Sequence, residues 1–407
     1  MRPLGPSPKA PGGARGSLEV DLLLAAARTD AAQATASRVR ELAARKPHWP
    51  RVMELAATHG VQGLLSRSFT EVEAAGGLLV PRRVSEAVRS RHRRVARANL
   101  RLTVLLHRIL DAFEEEGIPV IPYKGPVLAS RAYGDVSLRT FSDLDLMVRE
   151  ETLQEAQGVL ARAGLVRDLG SAPVPDRALL RWSNALTFRD RDGTSVELHW
   201  RLSDPAWRMR ISMPEIWRRA RLHPWTDREV LGLSTEDQIH LLCLHAARHA
   251  WSRLIWMADV AETLRAEAVD WDALCGIAEE TGTLRMVRVG VGLAHRLLGA
   301  PLEEEVLDRI RADPRADGLA DHVEGLLRGG EVWAGREFLF HLRSRERLRD
   351  RLAFLAAAAF NPTIEDFRGV APGAPLWPRR FLRPFRLARK YWDQRRRAEG
   401  WTWEREG

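Results

Sequence analysis

Lys124-Gly-Pro-Val-Leu-Ala-Ser-Arg-Ala-Tyr-Gly-Asp-Val-Ser-Leu-Arg-Thr-Phe-Ser-Asp-Leu-Asp-Leu-Met-Val148 closes on an apolar run that carries two carboxylates, Asp143 and Asp145, at alternate positions. Successive side chains of an extended strand face opposite sides, so Asp143, Asp145 and Met147 share one face. Leu144, Leu146 and Val148 then turn into a core. Two carboxylates about 6–7 Å apart on one strand face repel each other and lose solvation, which a divalent cation between them offsets. Magnesium is the natural candidate, and a pair of solvated strand-end aspartates is the plainer alternative.

Upstream, Ile118-Pro-Val-Ile-Pro-Tyr123 reads as a strand, Lys124-Gly125 as a turn, and Pro126 opens a helix that runs to about Tyr133. Proline suits the first helical turn because its missing N–H would be unpaired there. A strand, a glycine turn and a helix N-terminus make a phosphate cradle, since free N–H groups and the positive end of the dipole face the anion. Lys124 adds a full charge. Only four lysines, at 9, 46, 124 and 390, stand among 63 basic residues, which sets Lys124 apart from its arginine background.

Downstream, Asn184–Arg189 and Thr194–Trp200 read as strands of a hairpin joined by Asp190-Arg-Asp-Gly193, a turn marked by its Asp-Gly pair. Val196, Leu198 and Trp200 share one face of the second strand, and Glu197 and His199 the other. Glu197 is thereby a candidate third carboxylate beside Asp143 and Asp145, with a solvated hairpin face as the alternative.

Lys124-Gly125, Tyr133-Gly-Asp135 with Arg139, Ser142-Asp-Leu-Asp-Leu146, Glu197-Leu-His-Trp200, the later Leu244-His-x-x-x-His249 and Trp256-x-x-Asp259 together resemble the uncharacterised nucleotidyltransferase family of the DNA polymerase beta-type superfamily. The resemblance spans about residues 95–300. It implies an α+β fold, a small mixed β-sheet core with helical N-terminal and C-terminal regions. It implies two metals, Mg²⁺ or Mn²⁺, held by Asp143, Asp145 and Glu197, and a nucleoside triphosphate at Lys124 and Gly125, with Ser142 and Arg139 on the nucleotide side. The reaction implied is attack by an acceptor on the α-phosphorus, with Asp145 or Glu197 as candidate proton acceptor.

The chain departs from that pattern in two places. Gly125-Pro126 stands where the superfamily more usually has Gly-Ser or Gly-Gly, which removes a backbone donor and a hydroxyl. Between Gly125 and Asp143 lie 17 residues, a longer gap than usual, which brings Arg139 near the metal strand. There it either meets the triphosphate or pairs with Asp135.

The 407 residues, 45% hydrophobic and 29% charged, suit a globular protein of two or three domains. The longest apolar run, Leu352–Phe360, falls short of the ~20 residues that span a bilayer and reads as a packed helix. The first residues do not read as a signal peptide. Cys243 and Cys275 read as small buried hydrophobes in a reducing cytoplasm. The +9 net charge concentrates in Arg82–Arg101 and Arg379–Arg397, where an arginine-rich helix exterior is favoured over nucleic-acid or membrane contact.

The organisation expected is a disordered stretch at 1–17, a helical region at 18–116, the nucleotidyltransferase-like core at 117–204, helices at 205–360 and a basic, aromatic-rich tail at 361–407. In Thr235–Leu264, His240, Cys243, His245, His249, Arg253, Trp256 and Asp259 fall in an amphipathic pattern. Hydrogen bonding between helices is favoured for the histidines, ahead of substrate or base recognition and then of metal binding. The functional alternatives are a catalytically silent binding module and an Asp-x-Asp glycosyltransferase. The acceptor is left open among small molecules, peptides, proteins and RNA.

Overall fold

The structure is a computed structural model that describes residues 17–30, 33–76, 80–168, 174, 176–329, 336–361 and 367. Expectations for the first 16 residues and for nearly all of the basic tail lie outside these.

Five strands, β1 (Ile121–Pro122), β2 (Asp143–Met147), β3 (Val166–Arg167), β4 (Ala185–Arg189) and β5 (Ser195–His199), form a mixed sheet in the order β1-β2-β5-β4-β3. Strand β2 runs parallel to the central strand β5, and β4 is antiparallel to β5. The β4–β5 hairpin closes as the Asp-Gly signal predicts: Asp190 Oδ1 accepts from the Asp192 and Thr194 amides, and Gly193 takes φ +79°. Strand β1 (Ile121–Pro122) lies antiparallel on the other side of β2 and is shorter than the expected 118–123. Pro119 and Pro122 have no N–H to give a ladder. A two-residue strand, β3 (Val166–Arg167), closes the far edge.

Alternation decides what covers each face. Leu144, Leu146, Val148, Val196, Leu198 and Trp200 pack with Leu102, Leu105, Leu106, Ile109 and Phe113 of the long Arg82–Glu115 helix and with the Leu153–Arg162 helix. The opposite face, with Met147 beside Ile121 and Tyr123, meets Ile216, Trp217, Leu233 and Leu241.

The helices before and after the sheet share one apolar core, in which Leu22, Leu42, Val52 and Leu64 lie with Val260, Val291 and Leu293. Polar ties join the same segments: Glu262 accepts from the Thr29 amide at 3.2 Å, and Arg253 Nε donates to Thr58 O at 3.0 Å.

The all-helical expectation after residue 205 is corrected by a second hairpin, β6 (Arg221–Trp225) with β7 (Arg228–Gly232). Its signal was hidden: β6 contains Pro224, and its turn holds Thr226 at φ +54°, where a β-branched residue is rare. Burial of Trp225, stacked on His107 at 4.4 Å between ring centres, holds the hairpin against the long helix. The Leu348–Phe360 helix buries Phe354 and Ala357, whereas Leu352 is 56% exposed. No helix among the described residues is long and apolar enough to cross a membrane.

Candidate metal and phosphate site

The parallel β2–β5 ladder sets Asp145 directly beside Glu197. Two residues further along β5, on the same face, comes His199. Its Nε2 lies 3.2 Å from Asp145 Oδ1 and 3.3 Å from Glu197 Oε2. This buried nitrogen is aligned for a hydrogen bond to neither oxygen. The Asn184 side-chain amide meets the other ring nitrogen, Nδ1, at 3.2 Å and orients the ring.

Ligand atoms from Asp145, Glu197 and His199 all lie within 4.8 Å of one another. Two carboxylates and an imidazole with an orphaned nitrogen are a donor set that fits one divalent cation. Asp143 stands outside this group: across the ladder its neighbour is Ser195, not a carboxylate. His199 was visible in the sequence on the Glu197 face, inside the Glu197-Leu-His-Trp200 motif, but no ligand role was expected for it.

Lys124 precedes the Gly125–Tyr133 helix, and its Nζ lies 3.8 Å from Asp145 Oδ2 and 3.2 Å from His245 Nδ1. Tyr123 OH donates to Asp145 Oδ1 over 3.4 Å. Gly125 takes φ +58°, a conformation that disfavours L side chains, and a Cβ there would stand 3.4 Å from the Asp143 carbonyl oxygen. Glycine thus lets the turn lie against the start of β2.

Burial pushes the Asp143 carboxyl up to about 6, and the charges of Asp145 and Glu197 add to it. Burial also works against the Asp145 charge, but the Lys124 ammonium, followed by contact with His199, outweighs it and holds that carboxyl well below the usual range. For His199 burial opposes protonation, and the two facing carboxylates reverse the balance and raise its pKa. Burial, reinforced by Lys124, keeps His245 well below the ordinary histidine value.

Of the residues expected at the site, Lys124, Gly125, Asp145 and Glu197 come together. Ser142 is exposed just before β2. Arg139 does not pair with Asp135: its guanidinium grips Asp259 at 2.7 and 2.9 Å, and Tyr133 OH donates to the same carboxylate at 2.7 Å. Asp135 accepts from the Ser137 amide instead. Among the histidines of the later helix, His240 meets Thr283 Oγ1 at 2.7 Å, an interhelical bond as expected, while His249 stacks on Trp256 at 5.0 Å.

A family model described as uncharacterised nucleotidyltransferase matches residues 45–299. No curated protein matches the chain significantly. A solution structure of the antibiotic-resistance factor ANT(2'')-Ia is similar at 17% identity, over 55% of this chain and 96% of that one, with a TM-score of 0.29. A superposition that loose bears on neither mechanism nor substrate.

Proposed function

The chain belongs to the uncharacterised nucleotidyltransferase family, and on that premise we propose that it moves a nucleoside monophosphate from a nucleoside triphosphate to an acceptor, with Mg²⁺ or Mn²⁺ as cofactor. The observation that supports this most is the register that sets Asp145 beside Glu197, next to Lys124 and its glycine turn. Asp145, Glu197 and His199 are the residues that would hold a cation, and Asp143, outside that group, is near enough to feel the charges of Asp145 and Glu197. When bound, a divalent cation supplies positive charge against the negative charge that develops on the transferring phosphoryl group and the pyrophosphate.

The protein's own groups do the rest. Lys124 Nζ, now shared between Asp145 and His245, offers its ammonium to the triphosphate oxygens as a point charge. The Gly125 turn lets phosphate approach the backbone closely, although Pro126 takes one amide donor from the helix start. A carboxylate oxygen of Asp145 or Glu197 takes the proton of the attacking acceptor group.

The test is release of pyrophosphate from labelled ATP with magnesium or manganese over a broad acceptor panel. Turnover by the wild type that is lost in Asp143→Ala and Asp145→Ala supports the reading. Equal behaviour of wild type and variants removes it. A second reading, a catalytically silent binding module, is favoured by Pro126 and by the engagement of Lys124 within the protein. Calorimetry separates the two, because a silent module shows no metal-dependent nucleotide binding.

A further inference from the structure

The Arg82–Glu115 helix carries a run of 24 residues, 87–110, with no acidic side chain and seven arginines. Three of these are engaged: Arg89 pairs with Glu73, Arg91 donates to Met53 O, and Arg108 reaches Ala163 O at 3.4 Å. Arg93, Arg94, Arg97 and Arg101 are exposed and have no hydrogen-bond or ion-pair partner among the described residues. Their three- and four-residue steps put them on one face, and Arg93 to Arg108 extends about 22 Å along the helix. Between the guanidinium groups lie two large aliphatic side chains in the open, Leu100 at 59% and Val104 at 55% exposure.

Solubility explains exposed arginines, but not an aliphatic pair one helical turn apart in their midst. A partner that matches this strip must offer negative charge and hydrocarbon together. A phosphodiester backbone offers the charge alone, and the strip holds no asparagine, glutamine or aromatic side chain with which to read or stack bases. An anionic lipid surface offers both. The placement agrees: this helix covers the sheet face opposite Asp145 and Glu197, so a surface docked here lies on the far side of the sheet from those carboxylates.

We propose that Arg93, Arg94, Arg97 and Arg101, with Leu100 and Val104 at their centre, dock the protein peripherally on an anionic lipid surface. The arginines meet headgroup phosphates and carboxylates, and the two aliphatics sink to the acyl boundary. This contact does not depend on any enzymatic activity of the carboxylate site.

The test is co-sedimentation of the full chain with phosphatidylcholine vesicles that contain or lack about 30% phosphatidylserine. Binding is expected only to the anionic vesicles, weakened by salt, and weakened about a hundredfold in the triple variant Arg93→Gln, Arg97→Gln, Arg101→Gln. The double variant Leu100→Ser, Val104→Ser should cut vesicle binding severalfold with an unchanged circular dichroism spectrum. Each exchange is on an exposed face, so folding is preserved. Undiminished binding by the triple variant would place any lipid affinity elsewhere and overturn the assignment. Undiminished binding by the double variant, or retention of RNA with no affinity for vesicles, would make the strip a general polyanion surface and overturn the lipid partner.

Discussion

Arg139 and Asp259, 120 positions apart, form a two-point ion pair in which both side chains are almost wholly buried, at 8% and 1% exposure. The pair ties the loop before β2 to the Leu254–Ala266 helix. Removing one partner strands a charge without water, so Arg139→Met or Asp259→Leu is expected to cost about 3–5 kcal/mol of stability. The double variant recovers most of that loss. Urea unfolding checks it, and single variants as stable as wild type would leave the pair without structural weight.

Asp145→Asn and Glu197→Gln each remove a carboxylate from the candidate cation site. Mn²⁺ binding, followed by electron paramagnetic resonance, should fall by at least a hundredfold in each, with the fold intact. Unchanged Mn²⁺ affinity in both would remove these two residues from any metal site.

His199→Ala tests the imidazole separately. If its orphaned nitrogen faces a cation, Mn²⁺ affinity drops about 10- to 100-fold, and Asn184→Ala, which frees Nδ1, gives a smaller drop in the same direction. An affinity that ignores both changes reduces His199 to a packing residue between carboxylates.

Gly125→Ala puts a side chain where the backbone takes φ +58° and sets its Cβ 3.4 Å from the Asp143 carbonyl. A loss of about 1–2 kcal/mol follows from the left-handed backbone alone. Thermal unfolding measures it, and a variant as stable as wild type would mean the turn relaxes freely.

Four histidines are held neutral chiefly by burial and secondly by a nearby arginine: His59 at about 4 with Arg253, His240 at about 4 with Arg219, His249 at about 4 with Arg248, and His341 at about 3 with Arg345. Each has a folded pKa below its unfolded value near 6.5, so the unfolded chain binds more protons between those values. Stability is therefore full above about pH 6.5 and falls as the pH drops toward 4. Unfolding free energies from urea titrations at pH 7.5 and 5.0 should differ by several kcal/mol in total, and equal values would contradict the neutral burial of these rings.

The sheet was legible because its signals are local. Alternation in Asp143–Val148 and Ser195–Trp200 gives the faces, and Asp190–Gly193 gives the turn between β4 and β5. Register across the parallel ladder is not local: nothing in the sequence says that Asp145 faces Glu197 while Asp143 faces Ser195. The same gap hid the role of Arg139, whose partner is in a helix that only the tertiary fold brings near. Strand β6 escaped because Pro224 argues against a strand and a buried Trp225 overrides it.

The shared core of the early and late helices fixes a sequence of events at the ribosome. Leu22, Leu42, Val52 and Leu64 bury themselves against Val260, Val291 and Leu293, which are made about 200 residues later. At bacterial or eukaryotic elongation speeds that delay is roughly 10–40 s. For that interval the emerging amino-terminal helices present a bare apolar flank, a surface suited to a chaperone until the partner helices leave the exit tunnel.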